Sequence, residues 1–379
     1  MAASVARFAA SLFLVPLVLA SAPIPSVQDS DLTILTHNDL YGSGSSRQAS
    51  AILISKPQSQ SAAASSCAAL GESLWSTSKD SPDQGFLQYL GYDSETHDRN
   101  LYWAASTAPA RCNAISAQGR TQQLPCNTLL PALCRNSAAL SSPASTDTST
   151  KWQTSVSTGN ATVTGYRDKH SFRFQGIKYA TIPSRFSDSV YLAPAGSISA
   201  TSYGPQCIQL SFATGAAEGS EDCLYLNIWT PTLPSAKSSK TKKKAVMVWI
   251  HGGGFVSGSG SDTTFDGGAI ASRGDVVLVT INYRLGNLGF LAIENTPLTG
   301  NYGLKDQSRA LDWLAAHIGA FGGDKDKMTV FGQSAGASSA QALLASTEAR
   351  GKFARFIRLG RSSPRPAVHP ATATPSSAA

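Results

Sequence analysis

The chain has 379 residues, 42% of them apolar and 15% charged, so it can bury a sizeable core and is long enough for more than one domain. That balance excludes a wholly disordered or fibrous chain. The formal net charge is +7, but eleven basic residues fall in two short stretches, Lys237, Lys240, Lys242, Lys243 and Lys244 and six more between Arg350 and Arg365; without them +7 becomes −4. The excess therefore belongs to a solvated loop and to the C-terminal end, and no nucleic-acid partner is expected.

In chain order, Arg7 precedes an apolar stretch from Phe8 to Leu19 and the small residues Ala20-Ser21-Ala22, the pattern of a secretory signal peptide over residues 1–22. Pro16 and the shortness of the run argue against a spanning helix, and no later segment has the length for one. The expectation is a secreted, extracellular protein with no stable membrane anchor. Its six cysteines, none in a Cys-x-x-Cys pair, then read as three disulfides and not as metal ligands or reactive thiols. Residues 28–135 carry four of them in a small α+β region with strand-like runs such as Leu32 to Leu35 and a helix expected from Ala62 to Trp75. Residues 137–150 are almost entirely Ser, Ala, Thr and Pro, and a linker is expected over 136–152.

Downstream, Trp152 to Tyr166 alternates and turns at Gly159-Asn160, which predicts an antiparallel hairpin. Asn160-Ala161-Thr162 makes Asn160 a candidate glycosylation site. Runs rich in Val and Ile at Ala245 to Ile250, Val276 to Ile281 and Met328 to Phe331 predict strands buried on both faces. Between the last two, Leu304, Ala310, Leu311, Leu314 and Ile318 recur at helical spacing within Gly303 to Ala320. The alternation predicts an α/β fold with a mostly parallel central sheet and flanking helices.

Two motifs carry chemistry. Gly332-Gln333-Ser334-Ala335-Gly336 follows the strand ending at Phe331 and leads into a helical stretch from Ala337 to Thr347. The pentapeptide alone is weak evidence, but between a strand and a helix it reads as a nucleophile elbow that lifts Ser334 above the strand ends. His251-Gly252-Gly253-Gly254-Phe255 follows the strand ending at Ile250. Glycines there let backbone N–H groups turn toward a ligand, so Gly253, Gly254 and Ala335 are the candidate oxyanion-hole donors for acyl transfer.

With these residues in place, 153–357 resembles the cholinesterase and type-B carboxylesterase family. One signature stretch is Glu221-Asp222-Cys223-Leu224-Tyr225-Leu226-Asn227-Ile228-Trp229-Thr230-Pro231; the other runs from Phe321-Gly322-Gly323-Asp324 through the Ser334 pentapeptide. Asn282-Tyr283-Arg284, Asn301-Tyr302-Gly303-Leu304, Asp306-Gln307 and Phe174-Gln175-Gly176-Ile177 resemble further landmarks. Lys178 and Lys325 stand where the family usually has proline. The resemblance implies the N-terminal half of an α/β-hydrolase fold, a serine esterase acting on a small-molecule or lipid carboxylic ester, no cofactor and no metal, and a Cys207–Cys223 disulfide. Residues 28–135 are more faintly similar to the C-type lectin-like fold, which would pair Cys67 with Cys134 and Cys112 with Cys126. No Glu-Pro-Asn or Trp-Asn-Asp calcium signature occurs there, so a disulfide-stapled accessory domain is expected.

The rival to the esterase is a non-catalytic secreted binding protein whose N-terminal domain binds glycan. The family's chain order places the acid and the general-base histidine after the serine. Only 45 residues follow Ser334, and the candidates among them, Glu348 and His369, are poorly placed to serve. The expectations are therefore a truncated product of little activity, with family-like sequence to Ile357, a disordered tail over 358–379, and His251 as a structural residue of the glycine loop.

Overall fold

The computed structural model describes residues 30–36, 50–76, 86–87, 90, 100–106, 111–211, 213–235 and 242–360. The signal-peptide stretch 1–22, Lys237, Lys240 and the chain beyond Gly360, including His369, lie outside the described residues.

The first unit contains β1 (Leu32–Thr36), β2 (Ser50–Gln58), α1 (Gln60–Ala69), β3 (Leu101–Trp103), β4 (Cys112–Ser116), β5 (Thr121–Leu124) and β6 (Leu130–Arg135). Helix α1 starts where Ser59 Oγ accepts from the Ala62 N–H and ends at Ala69, short of the expected Trp75. The chain turns at Gly71, whose φ of +72° suits glycine, and Leu74 pairs with Cys134 instead of continuing the helix. Disulfides join Cys67 to Cys134 and Cys112 to Cys126.

The second unit opens with the hairpin β7 (Gln153–Thr158) and β8 (Asn160–Arg167), with Gly159 at φ +56° in the turn and Asn160 exposed. After them come β9 (Phe172–Lys178), a ribbon of β10 (Ala180–Thr181) and β11 (Val190–Tyr191), β12 (Ala195–Ser199), and a second ribbon of β13 (Gln209–Leu210) and β14 (Ala217–Glu218). The remaining elements are β15 (Tyr225–Thr230), β16 (Thr232–Leu233), β17 (Lys244–Ile250), α2 (Gly268–Gly274), β18 (Val277–Ile281), α3 (Gly286–Phe290), α4 (Tyr302–His317), β19 (Gly323–Gln333), α5 (Ala335–Ala345) and β20 (Arg355–Leu359). The large sheet has the order β12-β8-β9-β15-β18-β17-β19-β20, with β7 beside β8. Its β18, β17, β19 and β20 half is parallel, whereas β15 runs antiparallel between β9 and β18. Val246, Val248, Ile250, Val277, Val279, Ile281 and Val330 are almost wholly buried, as strands covered on both faces require.

Two boundaries move. Strand β19 begins at Gly323 and not at Met328, because Gly323 pairs with Lys244 and the charged stretch Asp324 to Lys327, its last three residues exposed, bulges out of the ladder before Met328 pairs with Val246. Strand β20 runs to Leu359, so a tail boundary before Arg358 falls inside an ordered strand. Its five residues are all exposed, and parallel backbone pairing with Thr329–Gln333 orders them without an apolar requirement.

The units are stitched together. β16 pairs antiparallel with β1, matching Leu32 to Leu233 and Thr33 to Thr232, so a piece of the second unit forms an edge of the first unit's sheet. One continuous apolar cluster runs from Leu32, Ile52 and Trp103 to Val248 and Phe321. Residues 136–152 are ordered mainly by hydrogen bonds, with Ala138 and Trp152 as their buried apolar side chains. Asn136 Nδ2 donates to Ser50 Oγ at 2.9 Å, the Ser137 N–H to Glu72 Oε1 at 2.8 Å and the Ser141 N–H to Asp168 Oδ2 at 3.1 Å. Arg167 in turn reaches back to Glu72 Oε1 at 2.7 Å, a pair buried on both sides.

Candidate active site

The glycines of the pentapeptide act by close approach. A methyl group on Gly336 would lie 2.0 Å from Ile250 O, and one on Gly332 would lie 2.5 Å from the Gly336 carbonyl carbon and 2.7 Å from Ile250 O. Neither has positive φ; the strained residue is Ser334 itself, at φ 57° and ψ −119°. Such a conformation costs on the order of 1–3 kcal/mol and persists only where neighbours enforce it. Here the Ser334 N–H donates to Leu359 O at 3.3 Å and Ser334 O accepts from the Ser338 N–H at 3.1 Å, which locks the residue between β20 and the first turn of α5. The serine is exposed, its hydroxyl has no hydrogen-bond partner among the described residues, and it sits at the positive end of the α5 dipole.

The glycine loop lies directly against this elbow. A methyl group on Gly252 would meet Gln333 O at 2.8 Å and Ser334 Cβ at 3.2 Å. Gly253 and Gly254 adopt φ of +105° and +63°, and a side chain on Gly253 would strike Ser257 O at 2.1 Å. The N–H groups of Gly253, Gly254 and Ala335 donate to no acceptor among the described residues.

Residues distant in sequence fix the loop. Gln209 Oε1 accepts from the Gly258 N–H at 2.8 Å and its Nε2 donates to Gly258 O at 3.2 Å. Asn282 Oδ1 accepts from the Gly260 N–H at 2.8 Å. Gln209 was not among the candidates, and its 49-residue separation from Gly258 leaves no local signal. Cys207 is bonded to Cys223, which pins the start of the strand that carries Gln209. Under the site, Arg284 grips Asp306 through Nε and Nη2, both at 2.8 Å, and Gln307 Nε2 donates to Ser339 Oγ at 3.0 Å, tying α4 to the elbow helix.

His251 is buried, stacks on Tyr283 with ring centroids 4.4 Å apart, and holds its Nδ1 at 2.8 Å from Gly252 O. Burial pushes its pKa down to about 4, so it is neutral at physiological pH. The other described histidines are committed elsewhere: His317 lies between Thr158 Oγ1 at 2.9 Å and Tyr191 OH at 2.5 Å, and His170 is buried beside Asp168. Glu348 pairs with Arg309 Nη2 at 2.9 Å, beyond the far end of the 11-residue α5. That helix is about 16 Å long at 1.5 Å per residue, too far for a carboxylate to reach Ser334.

Strand, strained serine, helix and facing glycine loop together have the strand–turn–helix form of the elbow in the α/β-hydrolase fold. The sequence profile of the carboxylesterase family matches residues 152–374, more than half of the chain and past Ile357, and the chain belongs to that family. It is 41% identical over 190 residues to mouse (Mus musculus) bile salt-activated lipase, covering 48% of this chain and 31% of that protein. It is 42% identical over 216 residues to the para-nitrobenzyl esterase of Bacillus subtilis strain 168, covering 53% and 42%. Acetylcholinesterase-1 of Trittame loki is 39% identical over 205 residues, with coverage of 52% and 36%. Among solved structures, a Geobacillus stearothermophilus carboxylesterase superposes with a TM-score of 0.47 at 42% identity, over 53% of this chain and 42% of that one. The chain thus spans less than half the length of these relatives.

Proposed function

We propose that the protein is a carboxylic ester hydrolase in which Ser334 is the nucleophile. Ser334 Oγ bonds to the ester carbonyl carbon and gives its proton to a base; the N–H groups of Gly253, Gly254 and Ala335 hold the oxyanion; the alcohol leaves with a proton; and water then cleaves the acyl-serine to release the acid. The observation that carries this reading is how tightly Gly252 lies against the elbow, where a methyl group added to it would fall 3.2 Å from Ser334 Cβ. None of the described candidates is placed to be that base: His251 and His317 are hydrogen-bonded elsewhere, the buried His170 lines a separate cleft, and Glu348 pairs with Arg309. With no base at Ser334 among the described residues, slow turnover is the expected behaviour of the 379-residue chain. The substrate is a small-molecule or lipid ester, and three disulfides support a secreted protein that matures in an oxidising compartment. No helix among the described residues is long and apolar enough to cross a membrane.

The test is hydrolysis of p-nitrophenyl butyrate by the 379-residue chain and its Ser334→Ala variant. The expected result is slow turnover, well below the roughly 1–1,000 per second of working enzymes, that Ser334→Ala abolishes. An unchanged rate in the variant overturns the nucleophile assignment; turnover at ordinary esterase rates overturns the statement about the base.

A further inference from the structure

The cleft between the ordered 136–152 segment and the outer part of the large sheet plays no part in the ester chemistry. Its volume is about 490 Å³, within the range of small-molecule sites, and it is lined by the 136–152 segment and by the second unit. Pairing along the sheet links Arg173 to Trp229, Trp229 to Leu278, Leu278 to Met247 and Met247 to Thr329. Those four strand spacings of about 4.8 Å put the cleft roughly 19 Å from the strand that leads into Ser334.

Its chemistry is specific. The floor holds Arg173, whose Nη1 and Nη2 bond Asp266 at 2.6 and 3.0 Å and whose Nη2 also meets Asp168 at 2.8 Å. One guanidinium thus faces two carboxylates, so an anion would meet negative charge, and a cation would find those carboxylates already bound. Arg173 Nε is buried and makes no hydrogen bond among the described residues, an unpaired donor on a side chain that is only 2% exposed. Around it the walls are mostly hydroxylated, with Leu140, Pro143 and the buried His170 also lining them. Thr148, Ser202 and Thr263 line the cleft with hydroxyls that have no partner among the described residues, and Tyr166 and Gln175 line it as a hydrogen-bonded pair at 3.2 Å. Tyr203 adds a half-buried aromatic ring packed near Trp229.

We propose that this cleft is a second binding site, for a neutral polyhydroxylated ligand of the saccharide or polyol class. Hydroxyls of such a ligand pair with the wall hydroxyls without charge, while the ring of Tyr203 covers an apolar sugar face. Ala269 lines the cleft from α2 at a partly exposed position, so a large side chain there fills the cleft without entering the core.

The experiment is isothermal titration of the 379-residue chain with maltose, cellobiose, N,N′-diacetylchitobiose and glucose 6-phosphate, repeated with Ala269→Trp and Thr263→Val. At least one neutral saccharide is expected to bind, and Ala269→Trp to weaken it by about tenfold or more. Thr263→Val, a surface change that keeps the fold, is expected to weaken it by a smaller factor, and glucose 6-phosphate to bind less tightly than the neutral sugars. Absence of saccharide binding at on the order of 10 mM, binding that neither variant alters, or tighter binding of glucose 6-phosphate overturns the proposal.

Discussion

Removing the carboxylate of Glu72 tests whether the two units form one folded body. Glu72 Oε1 accepts from Arg167 Nη2 at 2.7 Å, from the Ser137 N–H at 2.8 Å and from Ser137 Oγ at 3.1 Å, and the paired side chains are 2% and 3% exposed. Glu72→Ala leaves a buried guanidinium with Leu70 O as its hydrogen-bond partner and the Trp152 ring beside it, and it strips the ordered 136–152 segment of its anchor at Ser137. Breaking a buried pair by deleting one partner costs about 3–5 kcal/mol, whereas replacing both with apolar residues is often neutral. With a urea m-value of about 3 kcal/mol/M, the single change lowers the unfolding midpoint by roughly 1–1.7 M. The assay is tryptophan fluorescence in a urea series for wild type, Glu72→Ala, Arg167→Met and the double variant. The expected double variant is more stable than the sum of the single effects implies, by about 1–3 kcal/mol of coupling. A midpoint that Glu72→Ala leaves in place, or strictly additive single changes, would refute the claim that this pair clamps the units.

Three further outcomes follow from the site. Gly336→Ala forces a methyl group to within 2.0 Å of Ile250 O and is expected to cost at least about 1–3 kcal/mol and to remove Ser334-dependent hydrolysis; Gly254→Ala, whose nearest neighbour is 3.8 Å away, is expected to cost only the strain of its positive φ, as read by thermal melting of both. For His251 the folded pKa, about 4, lies below the unfolded value near 6.5, so the unfolded chain binds the extra proton. Its contribution is therefore complete above the unfolded value and is lost as pH falls from there toward 4, roughly 3 kcal/mol in all; urea midpoints at neutral pH and at pH near 4.5 should converge in His251→Gln relative to wild type. Opening the Cys207–Cys223 loop with paired serines should lower stability by about 3 kcal/mol, and a midpoint unchanged by it would mean that Gln209 holds the glycine loop unaided.

The parts of this molecule that were legible in its sequence are those whose determinants are local. The hairpin at Gly159-Asn160 shows in alternation plus a turn pair, and the elbow shows because Gly332 and Gly336 must let Ile250 O approach within two residues of the serine. The helix through Leu311 and Leu314 shows in its period, ending as an α-helix at His317 with a 3₁₀ turn to Phe321. What the sequence hides is set by partners far along the chain. The pairing of β16 with β1 joins residues about two hundred positions apart through main-chain groups that carry no side-chain signal. Gln209 on Gly258 and Arg167 on Glu72 are single polar residues whose worth depends on burial. The 136–152 segment has the composition of a loose tether, yet Glu72 and Asp168 supply it with buried acceptors. The charged start of β19 and the exposed β20 were missed because apolar patterning marks only strands that need burial.

The central claim is that Ser334 is the acyl-accepting group of the elbow, and the most direct measurement is where an acyl group lands. The 379-residue chain is incubated at length with p-nitrophenyl acetate and digested, and the acetylated residue is located by mass spectrometry. The account predicts acetyl on Ser334, in the peptide that includes Met328 to Ala345, and none on that peptide in Ser334→Ala. Acetyl distributed over lysines with Ser334 unmodified, or a wild-type yield that Ser334→Ala leaves unchanged, would contradict it.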